Sequence, residues 1–64
     1  MKEFTVELVY GDDSSIFFQV GVDGEEYEYM ALLSMITRGT LMASMAKRAT
    51  CYNDEGFDVC SYVK

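Results

Sequence analysis

Apolar and polar residues alternate strictly along residues 3–10, EFTVELVY. Phe4, Val6, Leu8 and Tyr10 fall on one side, and Glu3, Thr5, Glu7 and Val9 on the other. A period of two belongs to a strand with one face buried. Residues 11–15, GDDSS, are turn formers. Alternation resumes over residues 16–22, IFFQVGV, with Ile16, Phe18, Val20 and Val22 opposed to Phe17, Gln19 and Gly21. Two alternating runs around a short polar loop predict an antiparallel hairpin. Val9 and Phe17 fall on its polar side, and this apolar pair hints at a contact there.

The pattern changes over residues 23–48, DGEEYEYMALLSMITRGTLMASMAKR. Two readings of residues 25–31 compete. Asp23-Gly24 could turn the chain into a third strand with Tyr27, Tyr29 and Ala31 alternating. The helical reading is stronger. Asp23 suits an N-cap, with Glu26 three residues on as in a capping box. Glu25, Glu26 and Glu28 would crowd the positive end of the helix dipole, and Lys47 and Arg48 the negative end. Met30, Ala31, Leu32, Leu33 and Met35 are good helix formers. A helix starting near Gly24, or only at Tyr27, is expected. Its apolar stripe reads Tyr29, Leu32, Met35, Ile36, Gly39, Met42, Ala43 and Ala46.

Gly39 costs about 1 kcal/mol relative to Ala inside a helix. Either it ends one helix and Thr40 caps a second, or it lets a continuous helix pack closely. A helix over residues 24–48 would run about 37 Å, against about 23 Å for a seven-residue strand. An unbroken helix would overhang the sheet and expose residues such as Leu41 or Met45. A kink near Gly39, or a partner over the overhang, is expected.

Residues 49–63, ATCYNDEGFDVCSYV, read as a second hairpin around Asn53-Asp54-Glu55-Gly56, a type I turn closed by a left-handed glycine. This register pairs Asn53 with Phe57, Tyr52 with Asp58, Cys51 with Val59 and Thr50 with Cys60. The cysteines then point to opposite faces, which excludes an internal disulfide. Cys51 becomes a small core residue, and Cys60 a covered, inert one on the more polar face.

The fold class is therefore α+β: an antiparallel sheet of two hairpins with a helical segment on one face, broken or continuous at Gly39, in the order β-β-α-β-β. Sixty-four residues make one small domain, 1–64. Half of the residues are hydrophobic, which argues against disorder. The N-terminus has no secretory pattern, no apolar run approaches a membrane span, and two cysteines are too few for a secreted disulfide framework. A cytoplasmic protein is expected.

A net charge of −6 disfavours non-specific binding to a phosphate backbone. Arg38 and Lys47 would lie about 180° apart on a straight helix, so they form no basic stripe. The chain has no histidine, which removes Cys-His and Ser-His-Asp nucleophiles and every histidine-containing zinc site. The acidic pairs Asp12-Asp13 and Asp54-Glu55 sit in turns and lack calcium-loop spacing. Gly11, Gly21 and Gly24 match no phosphate-binding pattern. Glu26 and Glu28 could do acid–base work only inside a walled cavity, for which a thin two-layer fold has little room. No catalysis, cofactor or metal is expected.

Five tyrosines, and four methionines within the helical stretch (Met30, Met35, Met42 and Met45), suit a recognition surface. The expectation is a small acidic protein-binding module. Glu25, Glu26 and Glu28 would face a basic partner, with Tyr27, Tyr52, Tyr62, Met42 and Met45 as anchors. Size and charge fit phage- or mobile-element-encoded inhibitors that occlude a host protein. Two alternatives stand beside it. One is a homodimeric regulator touching nucleic acid through Lys47 and Arg48. The other is a structural subunit whose apolar helix face is buried by neighbours.

Overall fold

A computed structural model describes the backbone of all 64 residues and every side chain except that of Glu26. The alternating stretches become β1 (Lys2–Val9) and β2 (Ser15–Val22). They pair antiparallel with Phe4 opposite Val20, Val6 opposite Phe18 and Leu8 opposite Ile16, which puts one apolar set on one face. Between them Asp12 accepts hydrogen bonds from the Ser14 N–H (3.1 Å) and hydroxyl (2.6 Å), and Asp13 adopts φ 68°. Aspartate tolerates that left-handed conformation better than most residues.

The architecture is α+β, with one helix and a four-stranded antiparallel sheet. β3 (Arg48–Tyr52) and β4 (Asp58–Val63) form the second pair. Strand order across the sheet is β2-β1-β3-β4. Alternation alone does not give that order. β1 and β3 form the central seam, with Val6 opposite Cys51 and Leu8 opposite Ala49.

The helix α1 spans Glu26–Ala43 and runs unbroken through Gly39. Of the two readings at Gly39 the continuous helix is the one observed, and Leu33, Thr37 and Leu41, each 1% exposed or less, fasten it on both sides of the glycine. The helix also stops earlier than expected. Ser44 turns the chain: its hydroxyl donates to the Leu41 carbonyl at 2.9 Å and accepts from the Ala46 N–H at 3.2 Å. Lys47 precedes β3 and Arg48 opens it, so no basic residue occupies the last helical turn. Lys64 instead donates to the Ser44 carbonyl. Eighteen helical residues span about 27 Å, close to the length of an eight-residue strand. The overhang disappears, and Leu41 is buried while Met45 is exposed.

The helix starts at Glu26, between the two expected positions, but its N-cap lies two residues later than expected. Glu25, not Asp23, is the N-cap, and it forms a reciprocal box with Glu28. The Glu25 N–H donates to Glu28 Oε2 at 2.9 Å, and the Glu28 N–H donates to the Glu25 carbonyl at 2.8 Å. Gly24, at φ 117°, makes the sharp entry that this box requires.

α1 packs on β3 and β4. Its buried line is Tyr29, Leu33, Thr37 and Leu41, each four residues on from the last. The expected stripe is therefore rotated: Leu32, Met35, Gly39, Met42 and Ala43 are exposed. Two core clusters result. One joins Phe4, Val6, Val22, Tyr29, Leu33 and Cys51, with the Phe4 and Tyr29 rings 5.4 Å apart and tilted. The other joins Leu8, Leu41, Ala46 and Ala49, with Tyr62 against it. Val9, expected on an exposed face, is buried, whereas Phe17 is 60% exposed.

The β3–β4 register also differs. Tyr52 faces Asp58 as expected, but the register then shifts by one residue. Val59 becomes the extra residue of a β-bulge, which lets two residues of one strand oppose one of the other. Cys51 then faces Cys60, Thr50 faces Ser61 and Ala49 faces Tyr62. The cysteines share a face rather than opposing ones.

Candidate functional site

The least expected surface is the outer side of α1. A helix gluing one face to a sheet usually presents charged residues on the other. Here the outward arc carries Leu32, Met35, Met42 and, just beyond the helix, Met45, at 41%, 66%, 62% and 89% exposure. Ala31, Gly39 and Ala43 lie among them and are exposed as well. Arg38 is the cation on this arc. The inward side is fixed by Leu33, Thr37 and Leu41, so α1 cannot roll to hide its methionines without losing its core contacts.

Along the β4 flank the helix and sheet leave an open groove of about 380 Å³, lined by Ser34, Met35, Arg38, Gly39, Met42 and Tyr62. Tyr62 reaches it because its partner Ala49 is small and lies on the core face. Gly39 forms an open stretch of the wall: a Cβ placed there would meet nothing within 4 Å. The groove is thus apolar, with the two thioethers and a tyrosine for shape and Arg38 at the rim. Methionine is flexible and polarizable, so such a lining adapts to a partner's side chains.

The sequence candidates divide among separate places. Met42 and Tyr62 meet in the groove, and Met45 stands beyond the end of α1. Tyr27, 80% exposed, sits at the opposite end of the helix. Beside it Glu25 and Glu28 are exposed, but they already cap the helix with each other. The side chain of Glu26 lies outside the described residues. Tyr52 is on the far face of the sheet, where its hydroxyl donates to Glu7 Oε1 at 3.1 Å. Burial, and then that carboxylate, push its hydroxyl above the ordinary tyrosine range. No single surface unites all eight residues. Arg38 stands out in the sequence only as a basic residue, while Met35 belongs both to the methionines suited to a recognition surface and, with Leu32 and Gly39, to the stripe that periodicity assigns to the core. The signal was present in their spacing of three, four and three with Met42, which is a second seam and not the buried one.

The basic residues of the nucleic-acid alternative are separated too. Lys47 Nζ lies 2.8 Å from Asp13 Oδ1, and this partner holds the Asp13 carboxyl below its ordinary range. Arg48 is exposed and, in register with Val9 and Val63, lies on the outer face of the sheet. Among the described residues no group of three or more Cys, Asp and Glu could hold a metal. No described helix is long and apolar enough to cross a membrane. No protein-family model matches the chain, and no curated protein or solved structure matches it either.

Proposed function

We propose that this chain is a non-catalytic protein-binding module and that the outer side of α1, with the groove at Tyr62, is its contact surface. One observation carries the reading: Leu32, Met35 and Met42 stand exposed on a helix whose opposite side is locked into the core. Contiguous apolar surface of this kind on a small folded chain marks an interaction site. Methionine and tyrosine are among the residues enriched in interface cores. The acidic turn with Tyr27 at one end of the helix would add orientation and speed of encounter with a basic partner. Occlusion of a host protein's basic site, as by a phage- or mobile-element-encoded inhibitor, fits that combination of charge and apolar surface.

The test is a double substitution on the outer arc, Met35→Asp with Met42→Asp. Neither side chain is in the core, so circular dichroism and the melting midpoint should hardly change. Capture of a partner should fall at least tenfold. A partner that binds this variant as well as the parent chain would refute the reading. Charge reversal at Glu25 or Glu28 is a poorer probe, since both cap the helix. Tyr27→Ala tests the acidic end without touching the cap.

A second copy is the other occupant with support. Leu32, Met35, Gly39 and Met42 follow the spacing of a paired-helix seam, and Gly39 leaves room for a close approach. Sedimentation as a monomer at high concentration would rule this out. The nucleic-acid reading has less support, given that Lys47 is paired with Asp13. A gel shift that weakens with salt would revive it.

A further inference from the structure

The bulge at Val59 has placed the two cysteines where they can react with each other. Cys51 faces Cys60 across antiparallel strands. Such partners have Cα atoms about 4.5–5.5 Å apart, inside the range of about 4.4–6.8 Å that a disulfide spans. Both side chains point to the core under α1. The Cys60 thiol donates to Thr37 Oγ1 at 3.7 Å. Cys51 is fully buried and lies directly opposite Cys60 in the same core cluster. Thr37 is completely buried. Two thiols and one hydroxyl therefore form a closed cluster at the helix–sheet boundary, and only Cys60 is partly open to solvent.

We propose that Cys51 and Cys60 form a reversible cross-strand disulfide by exchange with a small-molecule disulfide of the oxidised-glutathione class. Cys60 reacts first. It loses its proton, and its sulfur attacks one sulfur of the reagent; the reagent's S–S bond breaks and one thiol leaves with that proton. Cys51 then loses its proton, and its sulfur attacks the Cys60 sulfur of the mixed disulfide, releasing the second thiol. The protein gives up two electrons and two hydrogens, and one disulfide becomes two thiols. Burial pushes the Cys51 thiol up to about 11, so the second attack is the slow one. Oxidation also removes the S–H that Thr37 accepts. A buried oxygen left without its donor disfavours the oxidised form, so Thr37 opposes the disulfide.

The proposal is independent of any docking on α1. The test uses the whole folded chain, equilibrated with graded ratios of reduced to oxidised glutathione, quenched in acid and weighed intact. The expected product is lighter by two hydrogens, has no free thiol and is restored by reductant. The variant Cys51→Ala should stop at one glutathione adduct on Cys60. Thr37→Val should raise the ratio of disulfide to dithiol about fivefold, as expected for one lost hydrogen bond. The idea fails if the folded parent chain keeps both thiols, stops at the adduct, or oxidises only after denaturant is added. An unchanged ratio in Thr37→Val would overturn the part assigned to Thr37.

Discussion

Single residues decide the most consequential features of this fold. Val59 is one. Turn chemistry at Asn53–Gly56 was readable, and Tyr52 does face Asp58. A bulge has no strong sequence mark when the extra residue is an ordinary valine, and one extra residue flips every side chain after it. That is why the faces of Cys51 and Cys60 were not legible. Thr37 is another. A threonine breaks the apolar pattern of a helix, so periodicity does not mark it, yet its hydroxyl oxygen accepts from the Cys60 thiol and it sits fully buried. Cys51 gives a prediction at this scale. Its thiol is raised by desolvation from an ordinary 9.0 to about 11. Between those values the unfolded chain has lost a proton that the folded chain keeps. The stability this group supports is complete below pH 9 and is lost as pH rises toward 11. The urea midpoint of the reduced protein should fall across that window. In Cys51→Ala the fall should be shallower, with Tyr52, also raised, supplying part of the remainder.

At the scale of elements, strands were easier to read than the helix. β1 and β2 alternate because one face is buried, and alternation has only two phases to choose between. The helix existed in the sequence as clearly as the strands, but its orientation did not. Apolar residues surround it, so a line of four-residue steps through Leu33, Thr37 and Leu41 won over the line through Leu32, Met35 and Met42. The local reading ranked the second line higher because it contains no polar residue. What decided the matter was the sheet: only the first line meets Cys51, Leu8 and Ala49. The exposed arc was thus half visible: periodicity groups Leu32, Met35 and Met42 but assigns them to the buried side. Two substitutions separate the sides. Leu33→Ala should cost about 2–5 kcal/mol in chemical denaturation, as deletions in a packed core do. Gly39→Ala should stabilise by about 0.5–1 kcal/mol, since the site is helical and open. A loss of stability in Gly39→Ala would mean that something already occupies that wall.

Across the whole molecule, strand order sets what is exposed. β1 and β3 are interior, and β2 and β4 are the edges. β2, SIFFQVGV, is an uncharged edge with Ile16 and Phe17 at 51% and 60% exposure. An edge of this kind invites pairing with another chain, and natural sheets usually blunt it with charge. Here the safeguard is global: at a net charge of −6, copies repel one another. Repulsion should fail near the isoelectric point, about 4.2. Light scattering should rise there, and Phe17→Lys should delay it by interrupting the edge. Equal scattering from both proteins would place the sticky surface elsewhere, with α1 the next place to look. The same strand order also bears on how the chain is made. β1 is made before β3 yet belongs beside it in the interior of the sheet. Until Tyr52 has emerged, β1 can pair only with β2, and its other row of amides and carbonyls faces outward. The nascent chain therefore passes through a stage with a second open edge, along Thr5–Val9, which closes only when β3 arrives.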